Sequence, residues 1–305
     1  MRKLPGLVVA FIAVGLLAGV NVALATPPSG GFSYTEHGRA QQSTSATVTI
    51  PAADNLESSY TIAPGGDTGW RTATGDAVIA VFNGAVTVDQ AQDCASQEVA
   101  GGGAVVVPAG QFRLRNTRNE PAQVSGVFFN LPVGGPDPLM GNEAEPAPEC
   151  GGFSAAAVVP NGISAANAAR GVISAGKYHG ADSYGTVSHS LEAGKDMFVG
   201  NYTLEPGFST GWIVHTDELV ILTSGTLAIY EARNGKCEKV EEYSAGDAWA
   251  HKPHRHLGVN EGNEPAVARV VGFNLRHGDP MPVFGSNPDH FDFTQLPPAD
   301  CPRLR

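Results

Sequence analysis

The chain is poor in charge. Asp, Glu, Lys and Arg make up 16% of its 305 residues, and the basic ones are the minority, 19 against 30, for a formal net charge of -11. A phosphate backbone or an anionic membrane surface needs a basic face, so nucleic-acid binding and polybasic membrane attachment are disfavoured. Between residues 26 and 178 the only histidine is His37, which removes imidazole chemistry from half the chain. The four cysteines include no C-x-x-C pair, so thiol redox chemistry has no support. No serine and histidine arrangement reads as a hydrolase triad. Past the first 25 residues no run is apolar enough to cross a membrane. What is plentiful is Gly (38) and Pro (22), beside 42% hydrophobic residues. That mixture points to short strands joined by turns around sizeable cores.

The N-terminus reads as a signal peptide spanning residues 1–25. Arg2 and Lys3 precede an apolar run from Leu7 to Val20, Ala23-Leu24-Ala25 has the small-x-small cleavage pattern, and Pro27-Pro28 follows. An uncleaved anchor is the alternative, although Asn21 interrupts the run. No cysteine follows it, so a lipid anchor has no attachment point. Cleavage removes two positive charges and takes the net charge from -11 to -13. The expected location is secreted or otherwise extracytoplasmic, without membrane contact after cleavage. Export makes an even cysteine count suggest disulfides.

The mature chain contains itself twice. Residues 60–70, YTIAPGGDTGW, align with residues 202–212, YTLEPGFSTGW, at seven identities in eleven. Asn119-Glu120-Pro121-Ala122 returns as Asn263-Glu264-Pro265-Ala266, and Phe129-Asn130-Leu131 as Phe273-Asn274-Leu275. A period this long is a duplicated domain and not a solenoid unit. The copies are placed at 26–152 and 153–305. Cys94 corresponds to Cys237, while Cys150 and Cys301 each close a copy. The symmetric pairing is Cys94–Cys150 with Cys237–Cys301; free thiols or cross-domain bridges are the alternative.

Each copy reads as strands. Ala77–Phe82 and Leu219–Thr223 are β-rich runs ending in the hairpin turns Asn83-Gly84 and Ser224-Gly225. Further strands follow at 85–88 and 226–230, then near 103–107 and 246–250, and finally at 124–131 and 266–275. Only Ala165–Ala169 is expected to be helical, and 132–152 reads as the interdomain connection. Regular turns without long amphipathic helices imply closed or sandwiched sheets. Trp70, Trp212 and Trp249 read as packing more than as sugar platforms. Gly69 and Gly211 read as turn residues and not as phosphate loops.

At this point the residues resemble the cupin family. Its first motif has a Gly, then His-x-His, then a Glu followed by six residues and a Gly. From Gly207 the second copy has His215, Glu218 and Gly225 in those places. The second motif has a turn, a His and, four residues on, an Asn; here these are Gly246-Asp247, His256 and Asn260. The resemblance implies an all-β fold of two tandem jelly-roll (double-stranded β-helix) barrels. It also implies one divalent ion, Mn, Fe, Zn, Ni or Cu, on His215, Glu218 and His256. His251 and His254 are additional ligand candidates from the adjoining turn. Two departures matter. Ile213 stands where the family has its first histidine. In the first copy the four ligand positions are Arg71, Ala73, Asp76 and Phe112, so that metal motif is lost. Arg71 and Asp76 are read there as a structural ion pair or, less favoured, as a carboxylate-binding pair.

Two functions follow. The first is a secreted, non-catalytic two-barrel protein that binds a small molecule or is structural. The second is a metal-dependent enzyme of dioxygenase, isomerase or decarboxylase type with one site in the C-terminal barrel. The eroded motifs favour the first. Fold alone does not choose, and oligomeric state is left open.

Overall fold

A computed structural model describes residues 31–140, 160–174, 186–234 and 236–279. All twenty regular elements in it are strands. Two lead off: β1 (Phe32–Gln42) and β2 (Ala46–Ile50). Eight form the first copy: β3 (Asp54–Asp67), β4 (Arg71–Ala73), β5 (Ala77–Asn83), β6 (Ala85–Gln90), β7 (Ala95–Ala100), β8 (Gly103–Val107), β9 (Gly110–Arg115) and β10 (Ala122–Leu131). Between the copies lie β11 (Asn161–Val172) and β12 (Val187–Leu191). The second copy holds β13 (Asp196–Leu204), β14 (Ser209–Val214), β15 (Asp217–Ser224), β16 (Thr226–Arg233), β17 (Lys236–Ser244), β18 (Ala248–His251), β19 (Arg255–Val259) and β20 (Ala266–Leu275).

Strand pairing makes each copy a jelly roll. In the first, β3–β10–β5–β8 faces β4–β9–β6–β7. In the second, β13–β20–β15–β18 faces β14–β19–β16–β17. These are the same connections twice, so the all-β expectation of two jelly-roll barrels is met. The repeated sequence is repeated hydrogen bonding. The Asn116 amide donates to Ile62 O (2.9 Å) and Glu120 O (2.7 Å), and the Asn260 amide to Leu204 O (2.7 Å) and Glu264 O (2.8 Å). Thr68 and Thr210 each accept a backbone N–H from the facing strand at 2.9 Å. The glycines that follow, Gly69 and Gly211, have φ of 62° and 68°, which a side chain would oppose.

The leading strands cross over. β1 lies antiparallel on β13 of the second barrel, and β11 lies antiparallel on β3 of the first. β2 and β12 pair as a separate ribbon. Ala165–Ala169, expected as helix, is therefore strand. Its backbone groups are claimed by the open edge of β3, and Asn167 takes a left-handed φ of 56° at a bulge between Ala166 and Ala169. Core residues divide accordingly. Ile79, Val88, Phe112 and Phe128 fill the first barrel; Leu222, Trp249 and Val270 fill the second. Val48, Val78, Val127, Leu219 and Phe273 form a third core that joins the inner sheets.

Cys94 and Cys237 are the cysteines among the described residues, and neither is free. Cys150 and Cys301 lie outside the described residues, as do the expected signal segment and most of the 132–152 connection.

Candidate metal centre

Inward-facing residues of the second barrel form two zones. Toward one end, Leu204, Leu222, Leu227 and Ala266 are apolar; toward the other, histidines converge. His215 sits in the short link between β14 and β15. Glu218 is on β15, directly opposite His251 at the end of β18. His254 belongs to the β18–β19 turn. His256 is on β19, opposite Ile213 on β14. Strand register therefore assembles residues 41 positions apart in sequence.

His215, His251, His254 and His256 each offer one ring nitrogen, and these nitrogens all lie within 4.8 Å of one another. His215 Nε2 is 3.2 Å from His256 Nδ1. Two nitrogens bound to one ion at about 2.1 Å stand roughly 3.0–3.4 Å apart, so this pair already has the separation of neighbouring ligands. The far nitrogens are anchored. His215 Nδ1 donates to Thr216 O at 2.6 Å, and His254 Nδ1 to Lys252 O at 2.9 Å. A proton fixed on Nδ1 leaves a lone pair on Nε2, the arrangement that orients imidazole toward a metal. His251 Nε2 lies 3.4 Å from Glu218 Oε1, while His251 Nδ1 is buried without a hydrogen-bond partner. A void of about 10 Å³ borders His251, His254 and His256.

Electrostatics keep the cluster in its ligand form. Burial, then neighbouring histidines, hold His215, His251 and His256 well below the usual imidazole range, and burial lowers His254. Burial, then the charge of Asp217, pushes Glu218 up to about 8. Its Oε2 is also buried and unpartnered. Four neutral imidazoles with an orphaned nitrogen and an orphaned carboxylate oxygen fit a divalent transition ion better than they fit a self-satisfied polar plug.

The structure brings together His215, His256, His251 and His254, with Glu218 beside His215 and His251. Ile213 is buried against this group and contributes no donor. Sequence reasoning missed Glu231. Its Oε1 lies 3.5 Å from His254 Nε2, and it is buried. The available signal was alternation: Leu227, Ile229 and Glu231 share the inward face of β16, so a charged residue there interrupts an apolar row.

Arg71 is buried on β4 opposite Phe112, and the Asp76 carboxylate, in the link between β4 and β5, accepts the N–H groups of Thr49 (3.2 Å) and Ala109 (3.4 Å). A buried ion pair of the first barrel joins Arg113 with Asp67. All three tryptophans are buried, and Trp249 stacks on Tyr243 at 4.0 Å between ring centroids. Gly207-Phe208-Ser209-Thr210-Gly211 does carry the Gly-x-Ser-x-Gly spacing of a nucleophile elbow. Ser209, however, opens strand β14 with no helix after it, and its Oγ accepts the Gly211 N–H at 3.3 Å.

No family model matches the chain, and no curated protein matches it. Solved structures of Bacillus subtilis oxalate decarboxylase do. One determined at pH 4.6 aligns at 14% identity and a TM-score of 0.33, covering 84% of this chain and 79% of that one. Another, concerned with the Mn(II) centres of that enzyme, aligns at 12% identity and a TM-score of 0.30, covering 85% and 80%. The likeness is one of strand architecture and assigns no role to any residue of this chain.

Proposed function

We propose that the second barrel holds a single divalent transition-metal ion and that the protein is a one-site metal-dependent enzyme acting on a small molecule. The observation that carries this reading is the convergence of four imidazole nitrogens within 4.8 Å in a largely buried site. His215, His251, His254 and His256 hold the ion. Neutral imidazoles suit Zn, Cu, Ni or Fe better than Mn, which prefers oxygen donors. When bound, such an ion supplies Lewis-acid or, for Fe and Cu, redox chemistry. Glu218 lines the barrel-interior side of the site, with its Oε1 3.4 Å from His251 Nε2. A small apolar cavity of about 30 Å³ adjoins Glu218 and His256 on that side. The first barrel, without imidazoles at the matching positions, serves as scaffold.

The non-catalytic reading favoured by the eroded motifs gives way here, because His251 and His254 replace the donor missing at Ile213. Secretion after loss of residues 1–25 belongs to the same proposal, with two units at 26–152 and 153–305. So do bridges Cys94–Cys150 and Cys237–Cys301; non-reducing peptide mapping checks both pairs.

The test is elemental analysis of secreted, untagged protein beside a His215→Ala/His256→Ala variant. About one equivalent of Zn, Cu, Ni or Fe in the wild type, lost in the variant, supports the reading. Protein that stays metal-free after incubation with each ion would falsify it.

A further inference from the structure

Two carboxylates border the histidines, and their geometry differs. Glu218 approaches His215 from Nδ1, at 3.7 Å, the edge already committed to Thr216 O. An ion on His215 Nε2 and His256 Nδ1 lies on the opposite edge of that ring. Glu218 therefore stands behind the ligand nitrogens, beside His251 Nε2.

Glu231 faces the other way. His254 carries its proton on Nδ1, toward Lys252 O, so its Nε2 presents a lone pair. The nearest atom of Glu231 to that lone pair is Oε1 at 3.5 Å, buried and without a hydrogen-bond partner. Facing lone pairs at this distance repel unless a proton or a metal cation lies between them, and the four converging imidazole nitrogens form a site for the latter. The carboxylate is also held in place. Its Oε2 accepts from Arg233 Nε at 3.0 Å, and its side chain is only 9% exposed. A separation of 3.5 Å is close to that of two neighbouring donors on one ion.

We infer that Glu231, and not Glu218, is the carboxylate ligand of the metal centre, joining His254 on the rim side of the four imidazoles. The inference rests on the metal reading above. Glu218 then acts through His251, accepting from Nε2 and directing Nδ1 at the ion, which makes it a positioning residue. The site becomes four nitrogens and one anionic oxygen. The negative charge offsets part of the ion's charge in a buried setting.

The experiment titrates Co2+ into the metal-free full mature chain and follows the visible absorption bands of the bound ion, which report its donor set. Wild type, Glu231→Gln, Glu231→Asp and Glu218→Gln are compared, with the melting temperature of each metal-free protein as a folding control. Expected is a loss of at least tenfold in Co2+ affinity and a changed spectrum for Glu231→Gln, with partial recovery in Glu231→Asp. Glu218→Gln keeps the wild-type band positions with a smaller loss. The inference is overturned if folded Glu231→Gln retains both affinity and spectrum, or if Glu218→Gln is the variant whose bands move. Absence of Co2+ binding by the wild type overturns the metal reading itself, and this one with it.

Discussion

His215, His251 and His256 are buried bases that resist protonation, and Glu218 is a buried acid that resists ionisation. Each leaves a signed mark on stability. The histidines have folded pKa values below the 6.5 of the unfolded chain. Below pH 6.5 the unfolded state binds more protons, so metal-free stability falls as pH falls. Glu218 works in the opposite sense: raised from 4.5 to about 8, it keeps a proton in the folded state that the unfolded state releases. Its contribution is lost as pH rises from about 4.5 to about 8. Three imidazoles outweigh one carboxyl on the acid side, and Glu218 acts without them above pH 7. The metal-free protein is therefore expected to melt highest near pH 7, with Glu218→Gln flattening the alkaline decline. A thermal scan series from pH 5 to 9 checks this, and a melting temperature flat between pH 5 and 7 contradicts it. Steric detail is equally local. A Cβ at Gly272 would come within 1.7 Å of Phe198 Cε1, a ring fully buried in the same barrel. Gly272→Ala is expected to cost about 3 kcal/mol in urea unfolding; a change below 1 kcal/mol means that the ring relaxes freely.

Among the elements, β1 has the largest consequence for its length. It caps the edge of β13 in the second barrel through nine residue pairs with one bulge. Phe32 and Tyr34 pack on Tyr202 with ring centroids 5.4 and 5.3 Å away, and Arg39 reaches Asp196 at 3.5 Å. Deleting residues 32–42 leaves β13 with an open hydrogen-bonding edge next to exposed aromatics, a template for edge-to-edge association. The truncated chain is expected to elute as dimers or larger species in size-exclusion chromatography. A stable monomer with an unchanged melting temperature shows that β1 is dispensable. The strands of each barrel, their hairpins at Asn83-Gly84 and Ser224-Gly225, and the repeat itself were legible from sequence, because period-two apolar runs and turn residues are local signals. The exchange of β1 and β11 was not legible. Which open edge a strand joins depends on where the other barrel stands, and Ala165–Ala169 has helix-compatible side chains overruled by the edge of β3.

At the scale of the molecule the two barrels share a core and a buried charge pair. Arg269 on β20 bonds Glu57 on β3, 212 positions away, while Arg269 Nε also donates to Asn201 at 2.7 Å and Ser125 donates to Glu57 at 2.8 Å. Burial raises the Glu57 pKa above the usual carboxylate value. Removing one partner strands the other in a dry interface, so Arg269→Met alone is expected to cost about 3–5 kcal/mol. Glu57→Leu/Arg269→Met together should cost much less, because neither charge is then left unpaired. A double-mutant cycle in urea measures the difference, and additive losses show that the two charges do not act as a pair.

Some of this protein was settled by its sequence alone. Scarce charge, frequent Gly and Pro, and a duplicated strand-and-turn pattern dictate an all-β chain of two like units, since alternation and turn chemistry act over a few residues. The absence of histidine around Arg71–Phe112 likewise denies the first barrel an imidazole site. The tertiary structure decided the rest. His251 and His254 enter the site, and Glu231 comes within reach of it, only because β16, β18 and β19 fold their inward faces onto one space. Donor geometry depends on the register between strands distant in sequence, and neighbouring residues do not encode it.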